Sequence, residues 1–151
     1  MHIRNSAQYT FMHIKESNVK GFCVCGQVSY EVVGPIKNLY QCHCSICQKQ
    51  TGSASQTGFF VPTENFNWLS GKGSISNYQK KSGYSVSFCS TCGSTAPNMF
   101  RTGDKYWVPA GAFEHLEGVK IQNHIYVANK AEWDEIGGNS NQHDGFHPVY
   151  A

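Results

Sequence analysis

No apolar run in this 151-residue chain approaches the roughly 20 residues that a membrane-spanning helix needs. Met1-His2-Ile3-Arg4-Asn5 at its start lacks the apolar core of a secretory signal. The two absences lead to the expectation of a cytoplasmic protein, in a reducing compartment, with no membrane partner. Blocks of like charge are missing as well. The lysines are scattered and the formal net charge is +2, so there is no electrostatic footprint for nucleic acid. No stretch carries a long 3.6-residue apolar period, and no repeat or internal domain boundary is visible. The chain also lacks an eighth cysteine, and that absence decides how its metal ligands divide.

Seven cysteines are present: Cys23 and Cys25, the trio Cys42, Cys44 and Cys47, and Cys89 with Cys92. An odd count in a chain without a signal leaves a disulfide framework with a thiol over. Cys-x-Cys and Cys-x-x-Cys spacings are metal-ligand spacings rather than those of scattered core residues. A closed structural zinc takes four protein ligands, whereas a catalytic zinc keeps three and leaves one position open. Seven divides accordingly, giving an expectation of two zinc ions per chain. Cys89-Ser90-Thr91-Cys92-Gly93 has zinc-knuckle spacing. In an extended segment Cys23 and Cys25 point to one side, roughly 6.6 Å apart at Cα, and bending brings their sulfurs together to complete the knuckle. Cys42, Cys44 and Cys47 can reach one ion without distant help. With zinc bound, the closed site carries −2 and the open one −1, which turns the formal charge of +2 into about −1. Ligand arithmetic also allows an alternative, in which His43, His115 or His124 is the eighth ligand and both zincs are structural.

The length suits one domain that metal staples would help to stabilise. Residues 1–20 show no clear period and are read as an extension or an added strand, 21–136 as the zinc domain, and 137–151 as a C-terminal tail whose Gly137–Gln142 stretch, rich in Gly, Asn and Ser, is expected to run over the surface. Alternation predicts strands at Gly26–Val32, Gly58–Val61, Asn65–Leu69, Ser74–Tyr78, Tyr84–Phe88, Met99–Phe100, Tyr106–Ala110 and His124–Val127. Short helical turns are predicted at Ser45–Lys49, Ala112–Leu116 and Lys130–Glu135. Many short strands between glycine-rich turns predict a mainly β domain folded around metal.

The runs Cys23-Val24-Cys25-Gly26-Gln27-Val28-Ser29-Tyr30, Cys42-His43-Cys44-Ser45-Ile46-Cys47-Gln48-Lys49-Gln50-Thr51-Gly52-Ser53 and Phe88-Cys89-Ser90-Thr91-Cys92-Gly93-Ser94 resemble the glutathione-dependent formaldehyde-activating enzymes and their centromere-protein-V relatives. Val108-Pro109-Ala110-Gly111 and His124-Ile125-Tyr126-Val127, with Trp133 behind them, extend the likeness. The resemblance implies a complex β fold of the β-tent type. It also implies a structural zinc at Cys23, Cys25, Cys89 and Cys92, and a second zinc at Cys42, Cys44 and Cys47. The implied reaction joins formaldehyde to glutathione, a carbon–sulfur lyase run backwards. Phe22 and Gln48 depart from the family pattern, which has a small residue and frequently an arginine there.

An open three-thiolate zinc stabilises a thiolate at neutral pH or polarises an aldehyde oxygen, which makes Cys42, Cys44 and Cys47 the catalytic candidates. The expected partners are a small-molecule thiol of the glutathione kind and an aldehyde of the formaldehyde kind. Ser45 and Thr51 are candidates to donate hydrogen bonds to the sulfurs, with helix capping the alternative for Ser45. His43, between two ligands, is expected to point away from their metal. Lys49 and Arg101 are candidate cations for the carboxylates of glutathione, and Phe59, Phe60 and Trp107 candidate pocket walls. The competing function is a zinc-stapled binding or chaperone-like module without turnover. Identity of the aldehyde and thiol, and the oligomeric state, are left open by the residues.

Overall fold

The computed structural model describes residues 18–147; the extension expected over residues 1–20 lies outside them except for its last three positions. Among the described residues, twelve short strands and one short α-helix make a mainly β domain. β1 (Val19–Phe22), β2 (Ser29–Val32) and β5 (Phe66–Ser70) form one antiparallel sheet in the order β1-β2-β5. β6 (Ile75–Gln79), β7 (Ser85–Cys89) and β8 (Thr95–Ala96) form a second. The third has six strands: β3 (Leu39–Cys42), β4 (Gln56–Pro62), β9 (Asn98–Met99), β10 (Lys105–Pro109), β11 (Ile121–Ile125) and β12 (Asn141–Gln142). Their order is β12-β11-β3-β4-β10-β9, with parallel pairing of β11 to β3 and of β12 to β11. Residues 141–142, in the tail as read from sequence, thus add an exposed edge strand.

Burial follows the alternation. Tyr30 of β2, 1% exposed, is the hub of the main core, with Phe66, Trp68 and Phe113 rings centred 5.5, 5.9 and 5.8 Å away. Gly21 faces Tyr30 across the β1–β2 pair. A Cβ there would lie 2.6 Å from the Tyr30 ring, so the ring takes the space that any other residue would fill. The Tyr30 hydroxyl is buried without a hydrogen-bond partner, and burial pushes its pKa above the ordinary tyrosine range.

Three expectations change. The β11 strand ends at Ile125 rather than Val127, because Tyr126 adopts a left-handed φ of 55° and turns the chain into a 3₁₀ turn at Val127–Asn129. The helical turn expected at Ala112–Leu116 sits earlier, as a 3₁₀ turn at Ala110–Ala112. Lys130–Glu135 is not helical. Its turn is closed by Asp134 N–H to Ala131 O at 3.1 Å, while Lys130 Nζ donates to Asp134 O at 2.8 Å.

Candidate metal centres

The four outer cysteines converge from two sheets. Cys23 follows β1 and Cys89 ends β7. The Cys23–Cys25 segment is a turn rather than the bent extended strand expected: Gly26 N–H donates to Cys23 O at 2.9 Å with Gly26 at φ 76°. The second knuckle repeats it, Gly93 N–H donating to Cys89 O at 2.8 Å with φ 74°. Both glycines occupy a left-handed conformation that a side chain would strain. The Cys23 and Cys25 sulfurs lie 3.5 Å apart and those of Cys25 and Cys89 3.8 Å apart, and all four fall within 4.8 Å of one another. Bonds of about 2.3 Å at tetrahedral angles give sulfur separations of about 3.8 Å, so the donor set fits zinc. Val28 N–H donates to Cys23 Sγ at 3.2 Å. Cys92 Sγ lies 3.2 Å from Ser94 Oγ, and that contact, followed by the Ser94 backbone, lowers the Cys92 pKa to about 5. Gln27 ties the two knuckles, donating to Ser74 Oγ at 2.7 Å and accepting from Thr91 Oγ1 at 2.6 Å.

The trio forms at one end of the six-stranded sheet. Cys42 is the last residue of β3, and Ile125 at the end of the parallel β11 accepts from His43 N–H at 3.0 Å, which sets the exit of the chain. The chain then enters α1 (Ser45–Thr51), whose N-cap is Cys44, its sulfur accepting from Cys47 N–H at 3.4 Å. A thiol thus occupies the place that a serine or aspartate oxygen usually takes. Ser45 is the first helical residue, not the cap, and Thr51 Oγ1 donates to Cys47 O at 2.8 Å rather than to a sulfur. Cys42, Cys44 and Cys47 place their sulfurs within 4.8 Å. Cys42 and Cys47 are buried against Ile125 and Cys44 is half-buried, which makes Cys44 the most accessible of the three. Cys44 is lowered to about 2 by hydrogen bonding from Cys42 first and then Cys47. Cys42 rises to about 11, through Cys44, and Cys47 rises through Cys42 and then Cys44. Crowded thiols cannot all ionise without a cation among them, so this donor set also fits zinc.

The histidines do not join it. His43, 1% exposed, turns away from the trio, with Nε2 3.0 Å from His124 Nδ1 and Nδ1 3.5 Å from Asp134 Oδ2. Burial lowers the pKa of both histidines, with the His124 charge a further cause for His43. His115 is exposed. Among the described residues, neither metal-competent group contains a histidine.

Other sequence candidates are dispersed. Lys49 lies exposed in the last turn of α1, and Arg101 sits over the Phe100 ring at 5.7 Å. Phe59 belongs to the main core, Phe60 packs against the trio, and the Trp107 ring covers Gly58. Gln48 fastens α1 to the loop after β11, donating to His43 O at 2.7 Å and Asn129 O at 2.8 Å.

Sequence reasoning missed two features. Cys47 Sγ donates to Gln56 Oε1 at 3.4 Å, Gln56 Nε2 to Gln50 Oε1 at 2.8 Å, and Gln50 Nε2 to Thr95 Oγ1 at 3.3 Å, a chain linking α1 to β8. Tyr84, read only as the start of a strand, has a buried hydroxyl without a partner. Its pKa rises to about 12, through burial first and then the charges of Cys47, Cys44 and Cys42. No spacing signal joins Tyr84 to the trio.

A family profile described as glutathione-dependent formaldehyde-activating enzyme matches residues 18–129. A crystal structure of a Rhodobacter sphaeroides protein is similar over 67% of this chain and 90% of its own, with 25% sequence identity and a TM-score of 0.52. A comparison with curated proteins gives no match.

Proposed function

The chain belongs to the glutathione-dependent formaldehyde-activating enzyme family, and from that premise we propose that it adds a low-molecular-weight thiol, glutathione first among them, to a small aldehyde at the Cys42–Cys44–Cys47 centre, or cleaves such an adduct. The observation that carries this reading is the trio itself: three convergent sulfurs with no fourth protein ligand beside them among the described residues, against a complete set of four at the other centre. In this reading each chain holds two zinc ions, a structural one at Cys23, Cys25, Cys89 and Cys92 and a reactive one at the trio.

Zinc bound by three thiolates supplies a position at which a further thiol ionises at neutral pH or a carbonyl oxygen is polarised. The chain supplies the rest. Cys44 presents its sulfur at the accessible side, while Phe60 and Ile125 cover Cys42 and Cys47 and keep water from them. The N-cap bond from Cys47 N–H to Cys44 Sγ offsets part of the negative charge that three sulfurs concentrate. His43 and His124, bonded to one another, make a buried polar floor and leave the metal to sulfur alone.

A reducing compartment such as the cytosol suits seven free thiols. Disulfides in protein isolated with thiols blocked at lysis would contradict that placement.

The decisive test has two arms. Metal content by mass spectrometry should give two zincs per chain, and the purified protein should accelerate the interconversion of formaldehyde and glutathione with the S-hydroxymethyl adduct above its spontaneous rate, read by NMR exchange spectroscopy. In cobalt-substituted protein, glutathione should perturb the sulfur-to-cobalt charge-transfer bands. If no thiol perturbs them and the interconversion is no faster than the spontaneous one, the protein is a zinc-stapled binding module.

A further inference from the structure

Residues directly opposite on antiparallel strands share a face of the sheet, and so do alternate residues along one strand. Cys42 pairs with Gln56, Tyr40 with Gly58, and Trp107 with Phe60, so Cys42 of the trio shares one face of the six-stranded sheet with Tyr40, Phe60 and Trp107. All three rings are half-buried. Tyr40 and Phe60 stack with centroids 6.0 Å apart, and both pack against the buried cluster of Cys42, Cys47 and Ile125. The Trp107 ring lies across Gly58 so closely that a Cβ there would come within 2.4 Å of it. The rings therefore pave the sheet outward from the trio. At the far end Phe100 meets Phe60 edge-on at 5.2 Å, and the Lys105 ammonium sits over both rings, 5.1 Å from the Phe60 centroid and 5.0 Å from that of Phe100. Lys105 is half-buried and has no ion pair among the described residues; the neighbouring Asp104 accepts from Thr102 Oγ1 instead. Phe60 and Lys105 also line an open groove of about 600 Å³, with Lys37, Glu64 and Asp104 on its walls.

We propose that this paved face binds the body of the thiol substrate, and that Lys105 and the groove hold the amino-acid head of a γ-glutamyl arm. This rests on the proposed thiol–aldehyde reaction and names the part of the thiol that the chain recognises. Charges of both signs at the groove suit a head group that carries an ammonium and a carboxylate on one carbon. An ammonium lying on two apolar rings draws a carboxylate more strongly than one in open water. The reach agrees. Phe60 stands four residues along β4 from Gln56, the partner of Cys42, roughly 14 Å at about 3.4 Å per residue. A γ-glutamyl arm runs about eight bonds from sulfur to carboxylate, roughly 10 Å in extended form. The zinc–sulfur bond of about 2.3 Å and an ion-pair contact of about 3 Å complete the span. The glycyl arm of glutathione, about six bonds long, reaches only roughly 7 Å. Lys105 is thus a positioning residue, set where the longer arm ends.

The test compares thiols on the cobalt-substituted full chain. γ-Glutamylcysteine, which keeps the arm, should perturb the sulfur-to-cobalt bands at about the concentration that glutathione needs, whereas cysteinylglycine, which lacks it, should need about tenfold more. Lys105→Met should weaken glutathione about tenfold and leave cysteinylglycine within about twofold, and Lys105→Arg should restore most of the preference. A second readout needs neither cobalt nor a variant lysine. In the zinc-loaded parent, glutathione should shift the indole N–H resonance that disappears in Trp107→Phe. Equal responses to the two dipeptides, an unchanged preference in folded Lys105→Met, or an unmoved Trp107 resonance would overturn the assignment and leave the reaction at the trio standing. If no thiol perturbs the cobalt bands, the proposed reaction fails, and the Trp107 resonance then decides the platform: a shift with glutathione supports it and an unmoved resonance overturns it.

Discussion

Removing Cys92 tests the division of the seven cysteines most directly. Cys25 and Cys89, whose sulfurs meet at 3.8 Å, are 64 positions apart in the chain. Closing a loop of that length restrains the unfolded chain by about 4 kcal/mol on the chain-entropy estimate. Cys42 to Cys47 closes only about five residues, worth about 2 kcal/mol on the same scale. Zinc binding to a structural site adds an apparent energy on the order of 10 kcal/mol, comparable to the whole stability of a domain, about 5–15 kcal/mol. At about 2–4 °C per kcal/mol for a chain of this size, loss of the long cross-link alone is worth about 8–16 °C, and loss of the short one about half as much. Cys92→Ala should therefore melt far below the parent and retain at most one tightly held zinc, whereas Cys44→Ser should remain folded with one zinc. Thermal unfolding by circular dichroism, paired with zinc stoichiometry by native mass spectrometry, reads both quantities. The reasoning fails if Cys92→Ala keeps the parent melting temperature and zinc content, or if Cys44→Ser is destabilised as much as Cys92→Ala.

Three further outcomes are expected from the same geometry. Mild chelation should strip one of two zincs and abolish thiol binding while circular dichroism is preserved, because the trio bridges little chain; parallel loss of both metals and the fold would argue against it. Tyr30→Phe removes a buried hydroxyl that bonds to nothing and should be neutral or stabilising by about 1 kcal/mol in chemical denaturation, with a loss above that pointing to an unseen partner. The pKa of His124 is lowered by burial, so below the ordinary histidine value of about 6.5 the unfolded chain takes up a proton that the folded one refuses, and stability falls as pH drops toward the folded pKa. Denaturation midpoints from about pH 7 to 5 should fall more steeply for the parent than for His124→Gln. Acid loss of zinc is common to both, and equal slopes would remove the histidine from the account.

Ligand counting needs no fold. The Cys-x-x-Cys-Gly knuckle is a local turn whose glycine is set by φ, whereas the turn at Cys23–Gly26 replaced the extended segment expected there. Three cysteines within six residues find one another without help from the rest of the chain. Period-two alternation likewise gave most of the strands, with boundaries shifted by up to three residues. Ending β11 at Tyr126 was not legible, because nothing in the residue type demands a left-handed φ there. His43 facing His124 and Asp134 was foreseen only as pointing away from the metal. The partners come from a strand and a loop that parallel pairing of β3 with β11 brings alongside. Tyr84 was wholly out of reach for the same reason. Metal ligands are recognised by spacing because a few bonds and a turn enforce it, while buried polar partners such as His43 and His124 are placed by sheet packing between segments far apart in sequence, which leaves no periodic trace in either.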